Sequence, residues 1–325
     1  MMTVYMKAVI VMALKVTNPD GKTWYGAKVE VDLVLKKGTY NFNNFTPAGY
    51  GLTITGEISG GDGGSPATNT ISISNLSKAH EDLFKTKEHI IVKAGGYDMF
   101  GIIGEGNITK VSPEARDGED HSISITFVAG KDYSKNKKIY NAYSGAKTVK
   151  HSYKTSTGKT ITWTTSKKKN INIRFKKGVK AKTIIQRIAR ESGIPIAVLH
   201  LKKNKVYKHG YTLTKKPETA IKAIVKDCGS KFQYRIDDIV IDYDEKPKLW
   251  QTHLYLTLKD GLVNMPTIND EDGKKATWTV VTYLNPLVAN GSVFYVAENI
   301  KSLVRVKNYT HSLDDMQTSC EVEMV

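Results

Sequence analysis

The sequence predicts a mainly β fold with an α+β insertion, and three observations support this fold class. Up to about residue 130, alternating segments such as KVEVDLVL and GLTITGEIS are separated by Gly-, Asn- and Asp-rich turns, as in a barrel or sandwich. Between about residues 170 and 243, two segments with helical periodicity lie among short strands. After Pro247 the strand pattern returns and continues to the C-terminus.

These changes of pattern divide the 325 residues into four segments. We predict a first β-barrel domain at residues 1–130, a Lys-rich linker and β-hairpin at 131–170, a small α+β domain at 171–247, and a second β-barrel domain at 248–325. The opening stretch, MMTVYMKAVIVMALKV, is interpreted as a first strand and not a secretory signal, because Lys7 interrupts its apolar run and no small-residue cleavage site follows. No run of eighteen apolar residues occurs, so no membrane span is expected.

One short helix is predicted to interrupt the first β-rich segment. The stretch ISIS, residues 71–74, alternates as a half-buried strand does. Asn75 and Ser77 can cap a helix, and the following KAHEDLF, residues 78–84, has its Leu and Phe at helix-like spacing. By Ile90 the strand alternation has resumed. The pattern therefore predicts two helical turns between two strands.

Two amphipathic helices are predicted in the α+β segment. The first covers VKAKTIIQRIARE and ends at Ser192-Gly193, with Pro195 just beyond. Its apolar side is formed by Val179, Ile184, Ile185, Ile188 and Ala189. The second helix begins at Lys216-Pro217-Glu218 and ends at Gly229. With strands at INIRF and IAVLHL and a hairpin of KFQYRI and DIVIDY, the order is close to βαββαββ.

The positive charge is concentrated in one part of the sequence. The chain has a formal net charge of +16 at pH 7. Residues 131–182 contain sixteen Lys or Arg and one acid, Asp132, and so account for +15 of it. Arg174 is the one arginine there, and the segment alternates Lys with Thr, Ser, Tyr, Trp and Val on both sides of Ser156-Thr157-Gly158. This pattern predicts a two-stranded ribbon around a tight turn.

The ribbon and its C-terminal flank form a candidate polyanion or partner patch. Its members are Lys147, Lys150, Lys154, Lys159, Lys167, Lys168, Lys169, Arg174, Lys176 and Lys177. One interpretation is a hairpin that contacts an acidic protein neighbour or stays solvated; the other is a polyanion site. Proteins that follow phosphates usually combine Arg with stacking aromatic residues, which favours the first interpretation for this Lys- and Thr-rich segment.

Sequence motifs for catalysis are not found. The eight histidines show no HExxH motif and no close His-Cys spacing, so no metal and no cofactor are expected. There is no GxSxG elbow and no P-loop, and GIIGEGN at 101–107 lacks the strand-Gly-helix context of a dinucleotide loop. The acidic groups DGED and NDEDG have the composition of turns. Cys228 and Cys320 are interpreted as reduced, inert thiols, and the protein is not expected to be an enzyme.

Several phrases resemble the central hub proteins of phage tail baseplates, the family that includes late control protein D and other tail-tube-like two-barrel hubs. ISISNLSKAHEDLF followed by AGGYDMFGIIGEGNITKV is similar to the first barrel of these hubs, and GVKAKTIIQRIARESGIPI with the PETAIKAIVKDCG helix is similar to their α+β insertion. KDGLVNMPTINDEDG, TVVTYLNPLVANGSVFYV and the last strands resemble their C-terminal part. The resemblance covers most of the chain from about Gly51 onward, whereas the first fifty residues differ and the hairpin at 147–169 looks like an insertion.

The resemblance implies two tube-like β-barrel domains in one chain, with the α+β domain inserted between them. Three such chains would form a pseudo-six-fold ring that joins a hexameric tail tube to a three-fold spike. The implied partners are further copies of the chain, the tail tube protein, the spike or tail tip protein, other baseplate proteins and the tape measure protein. Nucleic acid would be a partner only in transit or by weak non-specific binding. The implied location is the virion, in the tail baseplate, after synthesis in the host cytoplasm.

The resemblance also gives the predicted short helix a role. In a ring of barrels, a helix that covers a sheet edge can fill the junction with a neighbouring subunit. The candidate interface residues are Leu76, Lys78, Leu83 and Phe84. Two alternatives to a structural hub remain at this point: a polyanion- or nucleic-acid-binding protein that acts through residues 131–182, and a tail protein that binds or hydrolyses the cell wall.

Overall fold

The computed structural model describes residues 27–46, 49–96, 99–113, 121–130, 133, 147–154, 160–167, 173–236, 238–243, 251–269 and 276–325. Most of these residues lie in strands, with a few small helices, so the predicted mainly β fold with an α+β insertion is confirmed. The predicted first strand at residues 1–16 lies outside the described residues. The chain divides into two compact units: unit 1 is Met1–Lys131, Gln233–Asp238 and Asp244–Val325, and unit 2 is Asp132–Phe232 and Ile239–Tyr243.

Unit 1 contains the strands of both predicted barrel segments. The first group is β1 (Lys28–Leu35), β2 (Gly38–Asn43), β3 (Ile54–Gly61), β4 (Thr68–Ser74), helix α1 (Lys78–Glu81), β5 (His89–Gly95), β6 (Phe100–Pro113) and β7 (Ser122–Ala129). The second group is β17 (Gln251–Leu256), β18 (Thr267–Asn269), β19 (Thr277–Tyr283), β20 (Val293–Val296), β21 (Ser302–Ser312) and β22 (Gln317–Met324).

Both groups of strands belong to one hydrogen-bonded sheet. Its main path is β18-β19-β22-β21-β3-β4-β7-β6-β5-β1-β2, with β20 also paired to β21 and β17 paired to β20. Strand β21 is the junction. The first half of β21 pairs with β20, from Ser302↔Val296 to Arg305↔Val293. The second half pairs with β3, from Asn308↔Gly61 to Ser312↔Glu57. A register shift between Val306 and Asn308 in the β21–β22 ladder separates the two halves.

Each group of strands encloses its own apolar core. In the first group the predicted alternation is realised, since every second residue of β7 is buried, from Ile123 to Ala129. Core residues come from all seven strands, including Phe42 on β2 and Ile58 on β3. The second core is built around Phe294, Val304 and other residues of the C-terminal strands. The residues of β21 in these cores, Val304, Val306 and Tyr309, belong to the second core, and Leu313, just after the strand, belongs to the first.

A glycine in β6 shows that the first group of strands curls around its core. A Cβ atom built on Gly104 would lie 3.0 Å from Cγ2 of Ile58 on β3. In the sheet order, β7 and β4 separate β6 from β3. A close approach between strands that are not neighbours requires the sheet to fold back on itself. The glycines of GIIGEGN therefore lie within strand β6 of the sheet.

Unit 2 contains short strands, two longer helices and a separate ribbon. The ribbon is β8 (Lys147–Lys154) with β9 (Thr160–Lys167). The remaining elements are β10 (Arg174–Phe175), β11 (Val179–Lys180), α2 (Ala181–Ser192), β12 (Val198–Leu199), β13 (Val206–Tyr207), β14 (Tyr211–Thr212), α3 (Pro217–Asp227), β15 (Lys231–Arg235) and β16 (Asp238–Asp242). The segment Gln233–Asp238, which includes the end of β15 and the first residue of β16, belongs to unit 1.

In unit 2, α2 ends and α3 begins where the sequence predicts, whereas α2 begins two residues later than predicted, at Ala181. Gly193, at φ 65°, stops α2 in the left-handed conformation, and its amide donates to the carbonyl oxygens of Ala189 and Arg190. Pro217 occupies the first turn of α3. Four of the five predicted apolar residues of the first helix are buried, namely Ile184, Ile185, Ile188 and Ala189. Val179 instead lies in β11, just before the helix, and is partly exposed, whereas Ala181, the first residue of α2, is buried.

We expect substitution of Gly106 in β6 to destabilise unit 1. A Cβ atom at this position would lie 1.9 Å from the Val128 carbonyl oxygen, so the backbone of β6 or β7 would have to shift to accept it. Gly106→Ala should lower the free energy of unfolding by about 2 kcal/mol or more, as overpacking of a filled core does.

The matched control is Gly63→Ala, because a Cβ atom at Gly63 would meet nothing within 4 Å. This change should stay within about 0.5 kcal/mol of the unmodified protein. Urea unfolding followed by circular dichroism measures both variants. Equal stabilities for the two would contradict the close packing of β6 on β7.

Burial of His311 in β21 predicts a pH-dependent loss of stability. The side chain is 1% exposed, and its Nδ1 lies 2.7 Å from Oγ1 of Thr318. Burial lowers the pKa of His311 to about 3, against the ordinary value of 6.5. Because the unfolded chain binds the proton more readily, stability is complete above about pH 6.5 and falls by up to about 1.4 kcal/mol per pH unit as the pH drops toward 3.

Urea unfolding between pH 4 and pH 7 tests this expectation. His311→Gln should remove the contribution of one proton from the pH dependence of the free energy of unfolding. A pH dependence that is the same in the unmodified protein and in His311→Gln would show that His311 is not held neutral in the native state.

Candidate assembly surfaces

Helix α1 is shorter than predicted but is capped as predicted. It spans Lys78–Glu81, whereas the sequence indicated residues 78–84. The Ser77 hydroxyl oxygen accepts a hydrogen bond from the His80 amide at 3.3 Å, which satisfies one free donor of the first turn. Asn75 turns the chain from β4 into the helix with a φ of 60°. The predicted Ser77 cap is therefore confirmed.

Two of the four candidate interface residues lie inside the chain's own core. Leu76 is 6% exposed and Phe84 is 4% exposed, and both belong to the first core. Leu83 is partly buried against the same core. Lys78 differs, since its side chain is 80% exposed and forms ion pairs with Glu81 at 3.2 Å and Asp82 at 3.1 Å. A subunit contact at this helix stays a prediction, and of the four residues only Lys78 is freely accessible for it.

An aromatic cluster extends from the core to the surface beside α1. The Phe42 ring lies 5.1 Å from Phe84 and 5.7 Å from His80, centroid to centroid. Tyr50 is 52% exposed, its ring lies 4.7 Å from that of His80, and its hydroxyl lies 3.3 Å from His80 Nε2. We call the surface end of this cluster, Tyr50, Lys78 and His80, the α1 patch. It is a mixed aromatic and cationic surface on a well-packed base.

A buried carboxylate fixes α1 to the start of β7. Glu81 is 8% exposed, and its carboxylate contacts Nε2 of His121 and accepts a hydrogen bond from Lys78 Nζ. His121 and Asn75 are also joined through their backbones, with the Asn75 amide donating to the His121 carbonyl oxygen at 2.6 Å. The α1 patch is therefore held at both ends of the helix.

The Lys-rich hairpin is confirmed as a ribbon of two antiparallel strands. β8 pairs with β9 from Lys147↔Lys167 to Lys154↔Thr160, and within the described strands this pair forms a sheet of its own. Of the ten patch residues, Lys147, Lys150, Lys154 and Lys167 lie on the ribbon, and Lys159, Lys168 and Lys169 lie outside the described residues. The other three, Arg174, Lys176 and Lys177, are exposed residues at and just after β10.

Sequence reasoning missed a buried charged cluster at the junction strand β21. Arg305 is 7% exposed and its Nη1 lies 3.1 Å from the carboxylate of Asp62 and 3.6 Å from that of Glu323. Arg235, from the segment Gln233–Asp238 of unit 1, donates to the Asn290 carbonyl oxygen and, at 3.0 Å, to Ser292 Oγ. Burial lowers the pKa of Arg235 to about 10, which leaves it protonated at neutral pH. The sequence gives little indication of this cluster, because its charged residues, Asp62, Arg235, Arg305 and Glu323, are separated along the chain.

Metal-binding clusters and reactive thiols were sought among the described residues. They contain no group of three or more His, Cys, Asp and Glu side chains placed to hold a metal ion. Cys228 and Cys320 are both free and buried, and burial raises the pKa of each thiol, that of Cys320 to about 12. Such thiols are poor nucleophiles. None of the helices in the described part of the chain is both long and apolar enough to cross a membrane.

Comparison with known proteins gives likeness in structure without likeness in sequence. No family model and no curated protein matches the sequence. Among solved structures, the chain is similar to the prophage MuSo2 43 kDa tail protein from Shewanella oneidensis, with a TM-score of 0.57 and 11% identity over 92% of this chain and 97% of that one. It is also similar to the E. coli c3393 protein, with a TM-score of 0.51 and 10% identity over 84% of this chain and 74% of that one.

The second neighbour is described as a component of the type VI secretion system with structural similarity to the T4 bacteriophage tail proteins gp27 and gp5. At these identities the likeness shows the fold alone. The chain has a fold that is found in phage tail and type VI secretion proteins, and the likeness covers both groups of strands and the α+β insertion. The resemblance to phage tail proteins is thereby supported at the level of the fold.

We expect loss of the Arg305 charge to destabilise unit 1 strongly. Arg305→Met would leave the carboxylates of Asp62 and Glu323 without this cation in a largely buried setting. Breaking a buried pair by removing one partner costs about 3–5 kcal/mol.

The matched control is Lys307→Met on the same strand. Lys307 Nζ lies 2.9 Å from the Glu321 carboxylate, and each side chain is about one-third exposed. An exposed pair is worth at most about 1 kcal/mol, so this variant should unfold close to the unmodified protein. Thermal and urea unfolding measure both variants. A loss in Arg305→Met no larger than that in Lys307→Met would show that the buried cluster does not hold the junction together.

Proposed function

We propose that the chain is the central hub of a phage tail baseplate, or of a phage-derived injection particle. It would assemble as a homotrimeric ring between a hexameric tail tube and a three-fold spike. One observation carries this proposal: two tube-like groups of strands in one chain are joined by β21 into a single sheet. The fold likeness to a prophage tail protein over 92% of the chain supports the same assignment.

The proposed role follows from symmetry. A ring with six equivalent positions can be built from six single barrels or from three chains that each supply two. The second arrangement has three-fold symmetry and six similar barrels at once, so it can contact a six-fold tube on one side and a three-fold spike on the other. A shared strand suits this role, because the spacing of the two barrels is then fixed within each chain.

We place the α1 patch at the boundary between subunits, with a residue set that differs from the one the sequence indicated. Leu76 and Phe84 support the patch from the core, and Tyr50, Lys78 and His80 would make the contact. A half-exposed tyrosine beside a lysine is typical of the anchor and rim of a protein interface. The residues beneath the patch are well packed, so few side chains would lose conformational freedom when subunits assemble.

The proposed partners are those of a structural hub. They are two further copies of the chain, the tail tube protein, the spike or tip protein, other baseplate proteins and the tape measure protein. The protein would be made in the host cytoplasm and function in the virion, where it nucleates tube assembly and leaves a path for the genome. We propose no catalytic role; a cleared band in a cell-wall zymogram would contradict this part.

The first experiment is the mass of the purified protein in solution, measured by multi-angle light scattering over a range of concentrations. The proposal expects three times the chain mass. Tyr50→Ala combined with Lys78→Glu should shift the population toward monomer by removing the ring and reversing the charge of the α1 patch. Lys110→Glu, an exposed charge reversal on β6, is the matched control and should leave the mass unchanged.

Two outcomes would count against the proposal. A monomer at every concentration would contradict assembly as a self-contained trimer. A trimer that Tyr50→Ala with Lys78→Glu leaves intact would keep the ring but remove the α1 patch from its boundary. Circular dichroism of each variant shows whether the fold is retained.

A further inference from the structure

The charge of the chain is divided between the two units. Unit 2 contains 26 Lys or Arg and 5 Asp or Glu, for a net charge of +21, whereas unit 1 contains 22 and 27, for a net charge of −5. The excess therefore extends beyond residues 131–182 to the α+β elements. A unit of about one hundred residues with this charge attracts anionic polymers strongly.

Three aromatic rings form a row on unit 2. Phe175 on β10 pairs with Tyr211 on β14, and Tyr207 on β13 pairs with Val179 on β11. The ring centroids lie 6.2 Å apart for Phe175 and Tyr211 and 5.5 Å apart for Tyr211 and Tyr207. All three side chains are partly exposed. Two pairs of very short strands thus bring three rings together at the surface.

Cations stand at both ends of this aromatic row. The Arg187 guanidinium carbon lies 5.4 Å from the centroid of Phe175, and Lys205 Nζ lies 5.9 Å from the centroid of Tyr207. Further exposed cations lie close to the ring residues along the chain, in the same short strands or next to them: Arg174, Lys176, Lys177, Lys180 and Lys208.

The acids near the row already have cationic partners. Asp227 lies 2.6 Å from Lys205 Nζ and accepts a hydrogen bond from the Tyr207 hydroxyl at 2.9 Å. Glu191 lies 3.9 Å from Arg187 and 3.7 Å from Arg190. The Lys205 hydrogen bond, then that of Tyr207, holds the pKa of Asp227 below its ordinary value. These pairs fix the ends of the row and leave the surrounding lysines as the net charge.

We propose that the aromatic row of unit 2, Phe175, Tyr211 and Tyr207, with its surrounding lysines, binds single-stranded nucleic acid without sequence preference. Sequence-tolerant binding of single strands needs ring surfaces on which bases stack and a positive surface that follows the phosphates. The row supplies the rings, with Arg187 and Lys205 beside its two ends, and the exposed cations of residues 174–182 contribute to the positive charge of the same small unit. The inference does not rest on the hub role of unit 1.

The geometry favours a single strand over other anionic partners. In a duplex the base faces are stacked on each other, so the rings could add nothing to phosphate contacts. An acidic protein would use the charge but has no need of three adjacent rings.

Fluorescence anisotropy with the full chain tests the proposal. The probes are labelled oligo(dT) of about 20 nucleotides and a duplex of the same length, which exceed the site size of a small binding domain. The single strand should bind more tightly. Phe175→Leu and Tyr211→Leu should each weaken binding of the single strand by about tenfold, within the range of one lost base stack, and leave duplex binding unchanged.

Two further variants separate the rings from the charge. Lys176→Gln with Lys177→Gln should weaken binding of both probes and lower the slope of log affinity against log salt by about 0.7 per lost contact with the single strand. Tyr207→Phe keeps the ring and removes the hydrogen bond to Asp227, so it should bind within about twofold of the unmodified protein. This variant and the lysine variants keep the test valid if a leucine substitution impairs folding.

Three results would overturn the proposal. Equal affinity for single strand and duplex, with no effect of the ring variants beyond a folding defect, would reduce the surface to a charge patch. Absence of binding at about 50 mM salt, where phosphate contacts are strong, would exclude nucleic acid. Binding of polyglutamate as tightly as oligo(dT) would assign the surface to an acidic protein partner. None of these results bears on the trimer, which the light-scattering mass decides separately.

Discussion

The pairing of β21 with three other strands is the constraint on which unit 1 depends. An eleven-residue strand has room for two short ladders in succession, and β21 uses its first half for β20 and its second half for β3. β22 lies along both halves and continues across the register shift between Val306 and Asn308. A bulge of this kind bends a strand and changes its twist, so the two halves can follow the curvature of two different groups of strands.

The buried charged residues lie close to the register shift in β21. Arg305 lies just before the register shift, and it contacts Asp62 from the end of β3 and Glu323 from β22. Three segments that the chain brings together from positions 62, 305 and 323 are thus joined by one guanidinium. Apolar residues could stabilise the same place, but they would not select one register over another as a directional, multidentate contact does.

The sequence was sufficient to predict features whose causes are local. The cap at Ser77, the stop of α2 at Gly193 and the start of α3 at Pro217 depend on a few neighbouring residues, and each was predicted correctly. The burial of Leu76 and Phe84 illustrates the limit. Hydrophobicity indicates that a side chain is covered, but only tertiary structure shows that its own chain covers it. The row of Phe175, Tyr207 and Tyr211 was missed because its strands have two residues each, too few to show a period.

The two units differ in net charge, and the difference is compatible with the functions proposed for them. Strong like charge along a sheet would oppose close packing of several copies, so the small net charge of unit 1 suits the proposed assembly. In unit 2 the apolar sides of α2 and α3 are buried, whereas most lysines among its described side chains are exposed. Exposed lysines leave these buried apolar contacts intact, so positive charge can accumulate in unit 2 without disturbing its packing.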